Sequence, residues 1–146
     1  MIKKLSIYNF QSHEESHLKF HDGVNIIVGS SDSGKSAIIR ALRWLVYGKP
    51  RGEGFCSWWG GETRVEIETE THTIIRTKEK DRNEYQLIPT EGKKLIFNAF
   101  GNDVPEEVLK VLNMDDINLQ RQGDSPFLIS NSPGEVAQHF NRMAQL

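Results

Sequence analysis

The sequence has a single cysteine, no long apolar run and almost balanced charge. Because Cys56 stands alone among 146 residues, an internal disulfide and a cysteine-rich zinc site are excluded, and a reducing compartment is indicated. No apolar run approaches the roughly 18 residues of a membrane span, since Arg40 and Arg43 interrupt the longest one. The net charge of −2 gives no global attraction for a polyanion, so a nucleic acid would need a local basic patch.

Composition places the chain among folded proteins. It is 37% hydrophobic and 26% charged, which is typical of neither disordered nor fibrous chains, and its length suits one domain or half of a larger one. The start, Met1-Ile2-Lys3-Lys4, leads to polar residues and does not resemble a signal peptide, and no internal repeat is visible. We therefore expect a cytoplasmic protein, or one made in a virus-infected cell.

The most specific pattern is G-x-x-x-x-G-K-S at residues 29–36. It predicts a P-loop, in which two glycines let the backbone curl so that N–H groups point at phosphate oxygens, assisted by the dipole of a following helix. Lys35 would supply a mobile charge for the β- and γ-phosphates, and the Ser36 hydroxyl would ligate Mg²⁺. The predicted nucleotide-binding residues are Gly29, Ser30, Ser31, Asp32, Ser33, Gly34, Lys35, Ser36 and Ala37.

The flanking sequence favours a P-loop over a tight turn that binds no nucleotide. Four of the five residues 24–28 are apolar and β-branched, which predicts a buried strand leading into the loop. A helix is predicted from Ser36 to Tyr47, ending at Gly48 and Pro50. Its apolar face consists of Ala37, Ile38, Ala41, Leu42, Leu45 and Val46. Strand, loop and helix in this order are the context that the motif requires.

The residues before the loop predict two short strands. Residues 2–10 alternate, with Leu5 and Ile7 on the buried face; residues 11–15 are predicted as a loop, and residues 17–20 as a second strand. The three histidines of this region are spaced four apart, and on a helix they would align for a metal. Because the pattern predicts strand and turn instead, we interpret them as solvated loop residues. They are His13, His17 and His21.

After the first helix, a glycine-rich loop carries Phe55, Trp58 and Trp59. Aromatic residues in such a loop could stack on a base or on single-stranded DNA, but we favour the interpretation that the paired tryptophans cover the edge of a core. Residues 63–69, 71–77 and 83–88 then predict an antiparallel meander. Its basic residues alternate with acids, which favours a mixed solvated surface over a DNA groove. The basic residues predicted on the outside are Arg76, Lys78, Lys80 and Arg82, followed by Lys93 and Lys94.

The last third of the chain predicts two helices around a polar segment. A helix is expected over residues 104–112, with Pro105 in its first turn. Ser132, Pro133 and Glu135 have the spacing of a capping box, which predicts a helix that continues to the end of the sequence. Between the helices, Gln122-Gly123 lies in a polar stretch flanked by apolar residues, and such placement indicates a functional role.

These features in this order resemble the N-terminal half of the ATPase head of SbcC-type DNA double-strand-break repair proteins. Phage recombination-endonuclease subunits belong to the same SMC-like branch of the ATP-binding-cassette ATPases. The resemblance is carried by the P-loop, by Gln122-Gly123 and by the segment from Asn9 to His13, which reads N-F-Q-S-H.

The resemblance implies an α/β fold: an ATP-binding-cassette lobe with a mixed sheet, an antiparallel meander and flanking helices. All 146 residues would form this lobe, which is incomplete without a C-terminal half. Residues 1–50 would hold the strands, the P-loop and the first helix, and residues 51–103 the meander. Residues 104–146 would hold a helix, the Q-loop and a helix that leads towards a coiled coil.

The resemblance also implies an activity. Such a head binds ATP and Mg²⁺, hydrolyses ATP, and couples head dimerisation to nuclease action on DNA ends. Gln122 resembles the Q-loop glutamine that contacts Mg²⁺ and the attacking water, so Lys35 and Gln122 would be the catalytic residues here. The implied partners are the C-terminal half of the head, a second head, an SbcD-like nuclease and DNA, with no membrane. The implied location is the cytoplasm of a bacterium, an archaeon or a phage-infected host.

Two positions depart from the family pattern. Ser31-Asp32 stands where many members have Asn-Gly, so the aspartate would have to point away from the phosphates. Gln11 stands where the family often has arginine, which weakens a role for this loop at the γ-phosphate. In addition, no apolar strand of this chain ends in the Asp-Glu that supplies a general base. The chain alone is therefore expected to bind ATP without efficient hydrolysis.

Three other interpretations stay open at this point. The chain could belong to a RecF-type or RecN-type ATPase that acts on DNA without a nuclease. It could also be a non-catalytic nucleotide-binding scaffold, because the catalytic carboxylate is absent from it. A P-loop kinase or GTPase would require a parallel sheet after the first helix, whereas residues 63–88 predict antiparallel hairpins.

Overall fold

An antiparallel sheet is the framework of the structure, a computed structural model that describes residues 1–98, 103–114, 118–126 and 128–144. Its strands are β1 (Ile2–Phe10), β2 (His13–Lys19), β3 (Thr63–Thr69), β4 (His72–Glu79), β5 (Arg82–Pro89) and β6 (Leu95–Asn98). The strand order is β2-β1-β3-β4-β5-β6, so the predicted meander is confirmed. The sheet belongs to the first of two compact units, Met1–Met114 and Asp115–Leu146.

The central strands follow their predicted ranges because alternation decides which face is buried. Leu5 lies opposite Ile67 and Ile7 opposite Val65, and all four side chains are inaccessible to solvent. Cross-strand apolar pairs of this kind are the unit of sheet stabilisation, each contributing roughly 0.2–1 kcal/mol beyond burial. The predicted loop at residues 11–15 is too long, since β2 already begins at His13 and only Gln11 and Ser12 form the turn.

Helix α1 (Lys35–Tyr47) covers one face of β1 and β3. All six predicted apolar residues are buried, together with Trp44. At the C-terminal end of α1, Gly48 adopts φ +70°, and its N–H donates to the Trp44 carbonyl at 3.1 Å, as is typical of a glycine C-cap. Burial of each large side chain contributes roughly 1.5–3 kcal/mol, so α1 is firmly attached to the sheet.

Three aromatic rings fasten the long loop after α1 to this core. Phe55 packs on Phe10 and Trp44, with ring centroids 5.4 Å and 4.7 Å away. Phe55 itself is buried. Offset and tilted ring pairs of this spacing add about 0.5–1.5 kcal/mol each to the effect of burial.

Arg76 was predicted on the outside of the meander, and this is wrong, because only 3% of the residue is exposed. Its guanidinium lies 4.3 Å from the ring centroid of Trp44 and 4.9 Å from that of Tyr85. It also donates to the Trp44 carbonyl in the last turn of α1. The electron-rich ring faces and the negative end of the helix stabilise the cation there, while burial lowers the pKa of Arg76.

Residues 24–28 were predicted as a buried strand, and the structure contradicts this. They form no strand, and Val24, Ile26 and Val28 are 90%, 80% and 84% exposed. A strand needs a neighbour to take its N–H and C=O groups, and no strand of the described part of the chain pairs with this run. The sequence pattern indicates β tendency but not the partner, which is why the prediction fails here.

The remaining elements are short. Helix α2 (Glu106–Leu112) begins after Pro105, and of the four apolar residues in this range only Val108 is buried. In the second unit, α3 (Pro133–Met143) begins with the predicted capping box: the Ser132 N–H donates to the Glu135 carboxylate at 2.8 Å, and the Glu135 N–H is 3.4 Å from Ser132 Oγ. These bonds lower the pKa of Glu135. Strand β6 was not predicted.

Candidate nucleotide site

The glycine-rich loop ends at the N-terminus of α1, where the predicted P-loop requires it to end. Gly34 is the N-cap residue, with φ +89° and ψ 0°, and Lys35 is the first helical residue. Residues 29–33 are exposed, so the loop is open to a ligand. The first N–H groups of a helix have no intrahelical acceptor, and together with the helix dipole they favour an anion at this point.

The Lys35 ammonium lies over the loop. It donates to the Gly29 carbonyl at 2.8 Å, to Ser33 Oγ at 3.3 Å and to the Ser30 carbonyl. An ammonium has three donors, so all of them are engaged by loop oxygens. Phosphate oxygens would replace these neutral acceptors, and charge-assisted hydrogen bonds are roughly twice as strong as neutral ones.

Gly34 is required by its backbone and by its surroundings. A Cβ built on it would lie 2.8 Å from Ser12 Oγ and 2.9 Å from His13 Nε2, and the φ of +89° is one that side chains rarely adopt. At Gly29 the nearest contact would be Ser33 Oγ, also at 2.8 Å, without a positive φ. The loop therefore depends more strictly on the second glycine than on the first.

The other predicted binding residues differ in what they offer. Ser36 is exposed, so its hydroxyl is accessible to a metal ion. Ala37 is buried and its N–H donates to the Gly34 carbonyl at 2.9 Å, so it supports the helix start from within. Asp32 is exposed and has φ +59°, a conformation in which glycine and asparagine are favoured over most residues.

The turn between β1 and β2 contacts the glycine-rich loop, which the sequence did not predict. His13 Nε2 lies 3.1 Å from the Gly34 carbonyl oxygen, and Nδ1 lies 2.8 Å from Ser16 Oγ. His17 contacts Ser6 Oγ and the Glu15 carboxylate. Among the described residues no group of three or more histidine, cysteine or acidic side chains could hold a metal. The interpretation of the histidines as solvated loop residues is confirmed for His21, which is exposed and lies outside the strands, and is wrong for His13 and His17, which lie on β2 and are hydrogen-bonded.

The same turn contacts α1 through Gln11. The Arg40 guanidinium donates to Gln11 Oε1 at 2.6 Å, and Gln11 itself has φ +51°. Its backbone is held by the Phe55 carbonyl, which accepts from the Gln11 N–H at 2.7 Å, and by Ser57 Oγ, which donates to the Gln11 carbonyl at 2.8 Å. Gln11 thus faces Arg40, one turn into the P-loop helix.

The two tryptophans of the following loop do not cover a core, so the favoured interpretation is wrong for them. Trp58 is 90% exposed and Trp59 is 41% exposed, and their rings meet edge to face with centroids 5.6 Å apart. Trp59 Nε1 donates to Asn9 Oδ1 at 2.8 Å, which ties this loop to the β1–β2 turn. A glycine-rich sequence gives no signal that distinguishes a covered from an exposed indole.

Gln122 belongs to the second unit, where it lies exposed in a turn before Gly123, which has φ +88°. The turn is closed by Arg121 and Asp124: the Arg121 N–H donates to the aspartate at 2.8 Å, and the two side chains form an ion pair at 3.1 Å. An exposed amide on a tight turn is accessible to a ligand, and the catalytic role of Gln122 stays a prediction.

Two basic residues predicted on the outside of the meander, Lys78 and Arg82, are paired with acids. Lys78 lies 3.6 Å from Glu53, and Arg82 lies 3.0 Å from Glu62 and 2.6 Å from Glu84. Hydrogen bonding to Arg82 lowers the pKa of Glu84. Such pairs agree with the mixed surface that the sequence predicts and leave little unbalanced positive potential for a phosphate backbone.

A glycine-rich loop that leads into a helix lying on an antiparallel sheet is part of the arrangement predicted for a nucleotide-binding lobe. By its sequence the chain belongs to the AAA domain family, whose model matches residues 4–137. It is 32% identical to the DNA double-strand break repair Rad50 ATPase of Thermoplasma acidophilum, over 91% of this chain and 16% of that protein. It is 39% identical to the Rad50 ATPase of Pyrococcus abyssi, over 70% of this chain and 11% of that protein.

A solved structure shows the same fold over nearly the whole chain. It comes from work titled "Structural biochemistry of ATP-driven dimerization and DNA stimulated activation of SMC ATPases", with a TM-score of 0.69 and 22% identity, covering 97% of this chain and 98% of that one. The predicted fold class and the resemblance to SMC-like repair ATPases are therefore confirmed. The chain spans only 16% and 11% of those two curated relatives. No helix among the described residues is long and apolar enough to cross a membrane.

Proposed function

We propose that this chain is the nucleotide-binding lobe of an ATP-hydrolysing head in a DNA recombination and repair complex. The observation that carries the proposal is the open loop at residues 29–36, with Gly34 as the N-cap of a 13-residue helix and Lys35 lying across it. The similarity of the chain to Rad50 ATPases supports ATP as the nucleotide.

The residues present fit Mg²⁺ and ATP. The open N-terminus of α1 offers N–H groups to phosphate oxygens, Lys35 offers an ammonium that can exchange its acceptors, and Ser36 offers an exposed hydroxyl. Mg²⁺ in such sites takes few protein ligands because the phosphates and waters complete its shell. When bound, the metal would neutralise charge that develops on the γ-phosphate. Lys35 would orient the phosphates, and Gln122 would orient the attacking water.

The direct test is to replace Lys35 by Ala and measure Mg·ATP binding by calorimetry. Removing the ammonium leaves the backbone N–H groups in place, so affinity should fall by at least about tenfold, or about 1.4 kcal/mol. Lys93→Ala is the matched control, because Lys93 is an exposed lysine outside the loop and should leave binding unchanged. Equal affinity in wild type and Lys35→Ala would refute the site.

Hydrolysis is proposed only for a head completed by its C-terminal half. The exposed run at residues 24–28 supports this, because it offers an unpaired apolar segment directly before the P-loop. In a completed head, Gln122→Ala should lower kcat much more than ATP affinity, since a residue that orients water acts mainly in the transition state. Phosphate release and ATP binding are measured on the same preparation. A parallel loss of both would make Gln122 structural, and a completed head without turnover would favour a scaffold.

The wider assembly is part of the same proposal. A second head, an SbcD-like nuclease and DNA would be the partners, with ATP driving contact between the heads. The paired charges around Lys78 and Arg82 make this part of the meander an unsuitable DNA groove on its own. We therefore assign DNA contact to the assembled complex.

A further inference from the structure

His13 holds the Gly34 carbonyl, and this hydrogen bond has a defined direction. A carbonyl oxygen can only accept, so the Nε2 that lies 3.1 Å from it carries the proton and donates. In the neutral ring Nδ1 then accepts from Ser16 Oγ at 2.8 Å, so both ring nitrogens are engaged and the ring is fixed. The Gly34 oxygen accepts a second bond from the Ala37 N–H at 2.9 Å.

These two donors determine where the next N–H points. The peptide between Gly34 and Lys35 is planar and trans, so its C=O and its N–H point in opposite directions. Because His13 and Ala37 hold the carbonyl on the side of the β1–β2 turn and the helix, the Lys35 N–H is directed away from them, out of the helix N-terminus. Glycine at this position offers little resistance to peptide rotation, since it populates positive and negative φ about equally.

We propose that His13 is a positioning residue of the phosphate site, which holds the Gly34–Lys35 peptide with its N–H towards the bound phosphates. This role rests on the proposed nucleotide function. Gly29 and Gly34 leave the loop backbone free to rotate, and His13 restricts this rotation from outside the loop by holding the Gly34 carbonyl. Ser16 in turn fixes the orientation of the His13 ring. The turn directly before His13 is itself held through Gln11, whose N–H donates to the Phe55 carbonyl and whose carbonyl accepts from Ser57 Oγ.

Two amide substitutions separate the donor to Gly34 from the rest of the side chain. In His13→Gln the terminal amide nitrogen takes the place of Nε2 and can still donate to Gly34. In His13→Asn the shorter amide reaches only the place of Nδ1 and loses that bond. Both are neutral and similar in polarity, so a merely structural role predicts similar behaviour for the pair.

The experiment measures Mg·ATP and Mg·ADP affinity of the 146-residue chain by calorimetry, with thermal unfolding of each variant. We expect His13→Gln to bind within about twofold of wild type and His13→Asn to bind about fivefold more weakly, which corresponds to about 1 kcal/mol at 1.4 kcal/mol per tenfold. The two variants should unfold at similar temperatures. Equal affinity of His13→Asn, His13→Gln and wild type would overturn the role of His13.

The outcomes also separate this proposal from the proposed function. Wild-type binding that does not depend on Lys35 would refute the nucleotide site, and the role of His13 with it. Lys35-dependent binding with no difference between the amide variants refutes only the role of His13. If His13→Asn does not fold, Ser16→Ala replaces it: releasing the ring should weaken binding by at least about twofold, and unchanged binding would overturn the proposal.

Discussion

Replacing Gly34 by Ala tests how closely Ser12 and His13 pack against the end of the glycine-rich loop. The substitution acts in two ways, through the backbone and through contacts. A residue with a Cβ at φ +89° costs roughly 1–2 kcal/mol of the free energy of unfolding. The new methyl group would also lie within 3.0 Å of Ser12 Oγ and His13 Nε2, so these side chains must move.

Gly23 provides a control with the same backbone conformation. It also has φ +89°, but a Cβ there would meet nothing within 4 Å. The backbone cost and the loss of freedom in the unfolded chain are therefore common to both substitutions and cancel in their difference. What remains is the crowding term, which for one extra methyl group in a packed site is roughly 1–3 kcal/mol.

Both variants are measured by urea unfolding and by Mg·ATP calorimetry. Gly34→Ala should be less stable than Gly23→Ala by about 1–3 kcal/mol and should bind nucleotide at least about tenfold more weakly, because the displaced His13 no longer holds the Gly34 carbonyl. Gly23→Ala should bind nearly as well as wild type. Equal loss of stability in the two variants would refute the reasoning, since it would mean that the turn does not confine the loop.

Two further predictions concern charge and pH. Asp32→Asn keeps a residue that tolerates positive φ and removes a negative charge from the loop. ATP should therefore bind about threefold more tightly at low salt, with a smaller gain in affinity at high salt. Unchanged affinity at low salt would place Asp32 away from the phosphates. Tyr85 donates to the Leu45 carbonyl at 2.9 Å, and burial raises its pKa from 10.0 to about 12. The folded state therefore keeps this proton to higher pH than the unfolded state does. The contribution of the Tyr85 hydroxyl to the free energy of unfolding is complete below pH 10 and is lost as pH rises towards 12. Tyr85→Phe should cost about 1 kcal/mol and flatten this alkaline decline in urea unfolding, whereas equal slopes would contradict the assignment.

The elements that could be predicted are those decided by neighbours along the chain. Alternation decides which face of β1 is buried, and the spacing of apolar residues together with Gly48 decides the extent of α1 to within one residue. The capping box at Ser132 depends on residues three apart, and it too is found where predicted. The start of α1 directly after Gly34 belongs to this group, because the glycine and the first helical residue are neighbours in the sequence.

The features that could not be predicted depend on partners far away in the sequence. Residues 24–28 have the composition of a buried strand but pair with no strand in the part of the chain described here. Arg76 has the charge of a surface residue, yet Trp44 and Tyr85 bury it, and this requires the fold that brings the C-terminal end of α1 to Arg76 and Tyr85. Composition alone contains no information about such pairings.

Gln11, which stands where the family often has arginine, is explained by its contact with Arg40. An arginine at this position, as the family often has, would bring a second guanidinium to the place where Arg40 now donates to Gln11 Oε1 at 2.6 Å. Like charges in contact are unfavourable, whereas glutamine offers the acceptor that Arg40 requires. A positive charge therefore lies beside Gln11 and is carried by α1, four residues beyond Ser36. Sequence comparison at Gln11 alone gives no sign of this cation, because the contact joins residues 29 positions apart.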